Sequence, residues 1–244
     1  MLEATVPLRR PLDLRLTLGP LRHGAADPSM FLGAAAVWRA TRNAEGPAAL
    51  HLRLDGPTLV VRAWGTGATT AIAGVSSLVG ESDDDGKFRP RHRVVAELAR
   101  RLVGLRVPCS GAVVELLVPT VLAQKVTAGE ATRSYAALVR ALGEPAPGPA
   151  GKRGLMVPPS PARLAATPSY AFHPLGVERR RAETIVRACR VAAGLEEAVG
   201  LTPAATRSRL TAVAGIGPWT AATAAGLHAP RFGPRQPIRF IAGI

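Results

Sequence analysis

The sequence predicts an α+β protein in which an N-terminal domain with an antiparallel sheet precedes a mostly α-helical domain. Two observations predict this order. Apolar and polar residues alternate in short runs before residue 81, which is typical of strands with one buried face. After Pro90, apolar residues recur at intervals of three and four, which is typical of amphipathic helices. We therefore expect a first domain over residues 1–84, a helical domain over residues 85–226 and a divergent tail over residues 227–244.

The first domain contains three alternating runs, which are LDLRLTLG at residues 12–19, ALHLRLDG at 49–56 and TLVVRAWG at 58–65. Asp55-Gly56-Pro57 predicts a hairpin turn between the last two. The segment DPSMFLGAA, which begins at Asp27, starts like a capped helix.

A polar segment, ESDDDGKFRPRHR at residues 81–93, predicts the domain boundary. Its three consecutive aspartates indicate either a metal site or a solvated turn. Five basic residues stand beside them in the same segment, which favours the turn.

The second domain shows helical apolar spacing over residues 94–103, 113–126, 131–142 and 182–191. Between the last two segments, residues 143–154 (GEPAPGPAGKRG) are too rich in proline and glycine for regular structure and predict a loop.

Length and composition exclude several classes of protein. At 244 residues the chain can bury a sizeable core. No stretch approaches the ~18–20 unbroken apolar residues of a membrane span, and the N-terminus shows no signal-peptide pattern, so we expect a cytoplasmic protein. Cys109 and Cys189 are too few for a disulfide framework or for the four ligands of an iron–sulfur cluster. We expect both to be small buried residues.

The positive charge lies in the second part of the chain. Residues 1–84 carry 8 Lys and Arg against 8 Asp and Glu, whereas residues 85–244 carry 23 against 9 and hence the whole excess of +14. This asymmetry is typical of a protein that binds a polyanion such as DNA. A compositional bias of the source genome toward arginine is the alternative, but it does not explain the difference between the two parts. The loop at 143–154 either contacts DNA through Lys152 and Arg153 or is a mobile surface loop.

The most informative segment is LTAVAGIGPWTAA at residues 210–222, which predicts a helix-hairpin-helix over residues 204–226. Gly215 and Gly217 can take backbone conformations closed to other residues, and Ile216 between them can anchor the turn in the core. Such a turn exposes N–H groups at the start of a helix near Pro218, where they suit a phosphate oxygen. An ordinary αα-hairpin that needs two glycines to turn is the alternative.

This hairpin resembles that of the helix-hairpin-helix superfamily of DNA glycosylases. Bifunctional members commonly place a lysine, whose amine attacks the sugar, two residues after the second glycine, whereas this chain has Trp219 there. The resemblance is therefore to the monofunctional alkylpurine branch, the 3-methyladenine DNA glycosylase II type. An aromatic side chain at that position helps to wall the base pocket of this branch; an ordinary core tryptophan is the alternative.

Two further segments extend the resemblance to residues 89–225. VPTVLAQKVTAGEATR at residues 118–133 resembles the family helix with its Gln-x-Val-[Ser/Thr] element, and GVERRRAETI at 176–185 resembles the helix start that precedes the hairpin. By this resemblance Gln124 and Trp219 border the base pocket, with Lys125 where relatives often have an apolar wedge. The implied DNA-binding residues are Lys125, Val126, Thr127, Gly215, Gly217 and Thr220. Phe172-His173 resembles an aromatic turn near the family's base pocket, or is an ordinary turn.

The family's catalytic carboxylate has no counterpart in this sequence. In these glycosylases an aspartate lies roughly twenty residues past the position of Trp219 and stabilises the oxocarbenium-like sugar. That window here contains Pro237, Ile238 and Arg239, and the last acidic residue of the chain is Glu197. We therefore predict no catalytic residue, and the chain resembles a family member whose C-terminus is truncated or altered.

The resemblance implies base-excision repair of double-stranded DNA, in which a monomeric hydrolase cleaves the N-glycosidic bond of alkylated purines. It implies no cofactor other than a monovalent cation, ringed by backbone carbonyls of Thr211, Val213 and Ile216. Because the carboxylate is missing, two alternatives stay open. One is a non-catalytic, lesion-sensing DNA-binding protein, and the other is an inert truncated fragment.

Overall fold

The computed structural model describes residues 1–81 and 88–226, together with the backbone of residues 239–240. The three aspartates at residues 83–85 therefore lie outside the described residues. The strands of the N-terminal part are β1 (Leu2–Pro7), β2 (Met30–Leu32), β3 (Ala36–Asn43), β4 (Gly46–Asp55) and β5 (Thr58–Trp64). Together with β8 (Arg239–Phe240), from the C-terminal end of the sequence, they form an antiparallel sheet in the order β2-β3-β4-β5-β1-β8.

The predicted hairpin between β4 and β5 is confirmed. Asp55 pairs with Thr58 across the turn, and Gly56 takes the left-handed conformation (φ +55°) that such turns need. On the inner face of the sheet, Leu52 and Val61 are fully buried and pair directly. The alternation of residue types therefore identified both strands and their buried face.

Two predicted elements of the N-terminal part are wrong. Residues 12–19 contain a helix, α1 (Leu14–Leu18), because the Asp13 carboxylate accepts the backbone N–H of Leu16 and caps it. The segment after Asp27 is not a capped helix. The Asp27 carboxylate binds the backbone N–H of Ser29 in an Asx turn, and the chain continues into β2.

Short helices α2 (Ala68–Ala73) and α3 (Val75–Leu78) connect the sheet to the second part of the chain. The second part is mostly helical, and each of the four segments with helical spacing contains a helix. The helices are α4 (Arg93–Arg101), α5 (Val113–Leu122), α6 (Ala128–Leu142), α7 (Pro149–Lys152), α8 (Pro161–Ala166), α9 (Arg179–Arg190), α10 (Ala192–Glu196), α11 (Pro203–Thr211) and α12 (Pro218–Gly226). Their core is centred on α5, most of whose residues are buried.

Helix α4 is an exception among these helices, since none of its residues is buried. Val94 is 52% exposed and Leu98 is 48% exposed, although both lie on the apolar side that the spacing identified. The apolar spacing thus predicted α4 correctly. Within the described ranges, however, no other element packs against the apolar side of α4 and buries it.

Residues 143–154 are not the unstructured loop that their composition predicts. They contain α7 and the short strand β6 (Glu144–Pro145), which pairs with β7 (Met156–Val157). Buried Ala146 and Ala150 pack against Trp38 on the outer face of the large sheet. Gly148 (φ +66°) permits this approach, because a Cβ there would lie 2.5 Å from the Trp64 ring. Segments from both parts of the sequence thus share one core, and the division at residue 84 stays a prediction.

Both cysteines are free and buried, as predicted, and burial raises the pKa of the Cys189 thiol to about 12. Across residues 1–81 and 88–226, no cluster of three or more His, Cys, Asp or Glu side chains could hold a metal ion. No helix in the same ranges has the length and apolar character to cross a bilayer.

Candidate nucleic-acid interface

Helices α11 and α12 are joined by residues 212–217, within the segment for which the sequence predicts a helix-hairpin-helix. Ile216 is 4% exposed and packs in the helical core, as its position between the two glycines predicts. The backbone at residue 215 has a φ of +98°, a conformation that glycine adopts readily and other residues rarely adopt. Gly217 does not have a left-handed φ, so of the two glycines only Gly215 uses a backbone conformation that disfavours other residues. The position of Gly217 is open, since a Cβ there would meet no atom within 4 Å.

Helix α9 packs against the turn that joins α11 to α12. A Cβ at Gly215 would lie 2.2 Å from the Thr184 hydroxyl, which shows how closely the turn approaches this helix. The Arg187 guanidinium donates through Nε to the Ala214 carbonyl at 3.1 Å and through Nη2 to Thr184 at 3.3 Å. Glu183 also lies on α9, and its carboxylate pairs with Arg179 at 2.7 Å. This hydrogen bond and ion pair lower the pKa of the Glu183 carboxyl.

The second predicted DNA contact is the wedge loop, residues 124–127, which joins α5 to α6. Lys125 is exposed and has a φ of +56°, an uncommon conformation for a residue other than glycine. After it, Thr127 caps α6 and forms a capping box with Glu130, whose pKa the Thr127 hydrogen bonds lower. The loop therefore projects the Lys125 side chain from a backbone fixed at its C-terminal end.

Gln124 joins the wedge loop to the hairpin. Its Nε2 donates to the Gly215 carbonyl at 3.0 Å and to the Thr220 hydroxyl at 2.9 Å. These partners lie 91 and 96 residues away in the sequence. The structure thus brings together residues that the resemblance assigned separately to the base pocket and to the hairpin, and the Gln124 amide is engaged in holding the two loops.

The remaining predicted residues differ in accessibility. Trp219 is 59% exposed, so it is not an ordinary core tryptophan. Thr220 is only 2% exposed, and its hydroxyl is bound by Gln124, so its side chain supports the hairpin and does not face solvent. Val126 is half-buried. Phe172 is fully buried in the helical core, whereas His173 is exposed.

The predicted cation ligands lie in the hairpin, and their chemistry suits a hard cation because all three are backbone carbonyl oxygens. The carbonyl of Val213 already accepts the N–H of Ile216 at 3.0 Å, which leaves it one further lone pair. The neighbouring Ala214 carbonyl binds Arg187, so a guanidinium also lies against this turn.

The window of the missing carboxylate is only partly described. Pro237 and Ile238 lie outside the described residues. Arg239 pairs with Thr5 at the edge of the large sheet, where β8 lies beside β1. Its backbone is therefore part of the large sheet, whereas Ile216 of the hairpin packs in the helical core.

A cavity of about 660 Å³ lies at the opposite end of α5 from Gln124, with Val114, Tyr135 and Glu196 among its lining residues. The Glu196 carboxylate accepts the N–H groups of Val113 and Val114 at 2.8 and 2.9 Å. Desolvation raises the pKa of Glu196. This acid caps the start of α5, and the cavity is separate from the hairpin and the wedge loop.

Three residues of α9, namely Arg181, Thr184 and Arg187, have roles that the sequence patterns do not indicate. Arg181 lies in the segment GVERRRAETI that resembles the family, but only the fold shows what the three residues contact. Arg181 donates to the Leu122 carbonyl, and the other two contact the hairpin. One helix thus contacts the hairpin and the end of α5 that leads into the wedge loop.

No protein-family model and no curated protein matches the chain. Solved structures do match. A 3-methyladenine DNA glycosylase from Archaeoglobus fulgidus has a TM-score of 0.76 at 19% identity, over 91% of this chain and 80% of that chain. The 8-oxoguanine glycosylase/lyase of Clostridium acetobutylicum in its apo form has a TM-score of 0.68 at 12% identity, over 93% and 78%. The same enzyme in complex with double-stranded DNA has a TM-score of 0.66 at 14% identity, over 91% and 74%. At these identities the likeness establishes the fold, and the chain has the fold of these DNA glycosylase structures.

Proposed function

We propose that this chain binds double-stranded DNA and recognises alkylated purines, as a DNA-repair protein of the DNA glycosylase type. The observation that carries the proposal is the bond from Gln124 to the hairpin, which holds the wedge loop beside the phosphate-binding turn. The fold shared with a 3-methyladenine DNA glycosylase supports the choice of alkylated purines.

In this proposal the hairpin holds the DNA backbone. The first N–H groups of α12 lack intrahelical partners and lie at the positive end of the helix dipole, so they suit a phosphate oxygen. Gly217 leaves room for that oxygen because its position is open. The carbonyls of Thr211, Val213 and Ile216 would hold a monovalent cation, which supplies further positive charge beside the phosphate.

The wedge loop and Trp219 act on the damaged base. An enzyme that reads a base outside the duplex must fill the gap that the base leaves, and Lys125 is the exposed side chain at the tip of the loop. Trp219 offers an exposed indole face to the extruded base. Alkylated purines carry positive charge, which a tryptophan face attracts by cation–π interaction as well as by stacking.

Efficient cleavage of the glycosidic bond is not part of the proposal. No acidic residue follows Glu197 in the chain, and Glu197 pairs with Arg209 at 2.8 Å. The nearest acid on the supporting helix, Glu183, pairs with Arg179. These ion pairs favour a protein that binds the lesion and at most releases the base slowly, and they leave the non-catalytic, lesion-sensing alternative open.

The test is fluorescence anisotropy with a duplex that contains one 7-methylguanine and with the unmodified duplex of the same sequence. We expect affinity for both to fall with salt, at a log–log slope of about −0.9 per phosphate contacted, and the alkylated duplex to bind more tightly. Gly217→Asp places a carboxylate against the phosphate and should weaken binding of both duplexes. Gly200→Asp is the matched control, because Gly200 is also open and lies outside the hairpin.

Two results would contradict the proposal. An affinity for DNA that does not change with salt concentration would contradict the phosphate-binding role. Equal affinity for the two duplexes would contradict lesion recognition. An equal loss in Gly217→Asp and Gly200→Asp would mean that the hairpin has no special part in binding.

A further inference from the structure

The backbone of the wedge loop is uncommon and needs support. A left-handed conformation at a residue other than glycine costs about 1–2 kcal/mol, and it persists where the surroundings determine it. Lys125 is the only residue other than glycine with a positive φ in the described chain. The structure must therefore contain contacts that fix the loop on both sides of Lys125.

The C-terminal side is fixed locally. Thr127 and Glu130 bind each other's backbone N–H groups in the capping box, with distances of 3.3 Å from the Glu130 nitrogen and 2.9 Å from the Thr127 nitrogen. This contact lies within the first turn of α6 and needs no other element.

On the N-terminal side, the Gln124 amide bonds to the hairpin, and a residue from another helix binds the end of α5. Arg181, on α9, donates through Nη1 to the carbonyl of Leu122 at 2.8 Å. Leu122 is the last residue of α5, where carbonyl groups lack intrahelical partners and the helix dipole is negative. The positive charge of the guanidinium therefore stabilises the C-terminal end of α5, three residues before Lys125.

Arg181 is held at this point by burial. Its side chain and backbone together are only 7% exposed, and its Nε has no hydrogen-bond partner among the described residues. It lines a cavity of about 280 Å³ beside the loop, together with Val126, Glu130 and Arg133. Burying a guanidinium with an unsatisfied donor opposes folding, so stability alone does not explain an arginine here.

We infer that Arg181 is a positioning residue for the wedge loop, and that α9 sets the distance between this loop and the hairpin. The same helix contacts the hairpin through Thr184 and Arg187, at one and two turns from Arg181. Arg181 acts on the loop through Leu122 and need not touch DNA. The inference rests on the proposed function for its consequence, which is that loss of Arg181 removes lesion selectivity and leaves phosphate binding in place.

The first measurement needs no DNA. Amide hydrogen exchange over residues 122–127 of the full chain is compared in the parent protein, Arg181→Met, Arg181→Lys and Arg133→Met. Because a hydrogen bond from a charged donor contributes about 1.5–3 kcal/mol, exchange in Arg181→Met should accelerate by about tenfold or more. Arg181→Lys keeps a donor and should recover part of the protection. Arg133→Met removes an exposed charge that, like Arg181, acts on Glu130, so it controls for the loss of charge and should leave loop exchange close to that of the parent protein.

The second measurement uses a duplex with a tetrahydrofuran abasic site beside 2-aminopurine, and the intact duplex. We expect the parent protein to prefer the abasic duplex and to raise the 2-aminopurine fluorescence as the wedge enters the gap. Arg181→Met should lose about tenfold of that preference and most of the fluorescence rise, while it binds the intact duplex as Arg133→Met does.

The two measurements separate the two claims. Unchanged loop exchange in Arg181→Met overturns the positioning role whatever the DNA results are. A parent protein without preference for the abasic duplex contradicts the proposed function, and faster loop exchange in Arg181→Met would then still support the positioning role. If Arg181→Met does not fold, Arg181→Lys against Arg133→Lys gives the same comparison with a smaller expected change.

Discussion

The side-chain amide of Gln124 lies 2.9 Å from the buried hydroxyl of Thr220, and it bridges from there to the Gly215 carbonyl at 3.0 Å. One side chain at the end of α5 thus contacts both the turn of the hairpin and the first turn of α12. Because both contacts use the same amide nitrogen, the wedge loop cannot shift relative to the hairpin without breaking them. The relative position of the two loops is therefore a property of the folded protein before DNA binds.

The first prediction concerns this bridge. Gln124→Leu should lower the free energy of unfolding by about 1–3 kcal/mol, since it leaves the buried Thr220 hydroxyl without its donor. Thr220→Val should cost a similar amount. The double variant should cost less than the sum of the two, with a coupling energy of about 1 kcal/mol in urea denaturation.

Thr223→Val is the control for this cycle. Thr223 lies on the same helix, is exposed, and donates to the Trp219 carbonyl within the helix. It should show no coupling with Gln124→Leu. Full additivity of Gln124→Leu and Thr220→Val would mean that the bridge contributes nothing in solution.

The sequence predicted the four helices with regular apolar spacing and the β4–β5 turn because each depends on local spacing and on a few turn residues. The sequence-based prediction was wrong at Asp13 and at Asp27, because the pattern at each position is compatible with both a strand and a helix. In each case a hydrogen bond from a backbone N–H to the aspartate carboxylate determines the element. The sequence-based prediction also missed Arg181 and Arg187. Their roles depend on contacts across 59 and 27 residues of sequence, which no local pattern encodes.

The second prediction compares the two glycines of the hairpin. Gly215→Ala should destabilise the protein by about 2–4 kcal/mol, because a Cβ strains the left-handed backbone and meets the Thr184 hydroxyl. Gly217→Ala should change stability by less than about 0.5 kcal/mol, since its position is open. Thermal unfolding of both variants checks this. Equal destabilisation would contradict the assignment of the turn to Gly215 alone.

The third prediction concerns Trp219. Because its side chain is mostly exposed, Trp219→Ala should alter the free energy of unfolding by less than about 0.5 kcal/mol. It should nevertheless weaken binding to an alkylated duplex by about 1–3 kcal/mol, the typical contribution of one stacked base. Trp219→Phe keeps an aromatic face and should retain part of the affinity. A large loss of stability in Trp219→Ala would instead indicate a packing role.

The fourth prediction concerns the pH dependence of stability. Burial lowers the pKa of His23 below its ordinary value of 6.5, nearby Arg39 lowers it further, and Asp27 and Glu115 oppose the shift. The folded protein therefore binds fewer protons than the unfolded chain below pH 6.5. The stabilisation is present above that pH and is lost as pH falls toward the folded pKa, by at most about 1.4 kcal/mol per pH unit.

Urea denaturation between pH 7.5 and 5.5 measures this loss. His23→Phe keeps a ring against Tyr135, whose centroid lies 4.5 Å away, and removes the titration, so its stability should depend less on pH. His51→Phe is the comparison. His51 also has a lowered pKa, through burial and three arginines, but it is less buried, so its removal should flatten the curve less. An unchanged slope in His23→Phe would show that another group titrates.

The last prediction concerns base release. Cleavage through an oxocarbenium-like state needs a nearby negative charge, and loss of such a group commonly costs ~10²–10³ in rate. The chain should therefore release 3-methyladenine from DNA at least about 10²-fold more slowly than the Archaeoglobus fulgidus 3-methyladenine DNA glycosylase that shares its fold. Some release should persist, because an alkylated purine is already a positively charged leaving group.

Three variants decide how any residual release arises. Arg239→Asp should not restore activity, because the backbone of Arg239 pairs with Thr5 in the large sheet, whereas the hairpin packs in the helical core. Glu183→Gln and Glu197→Gln should leave the residual rate unchanged, since both carboxylates are held in ion pairs with arginines. Full activity of the unmodified chain would overturn the prediction. If the unmodified chain is fully active, a lower rate of base release in Glu183→Gln would identify the Glu183 carboxylate as the group that stabilises the oxocarbenium-like sugar. Recovery of that rate in Glu183→Asp would distinguish this role from support of the hairpin.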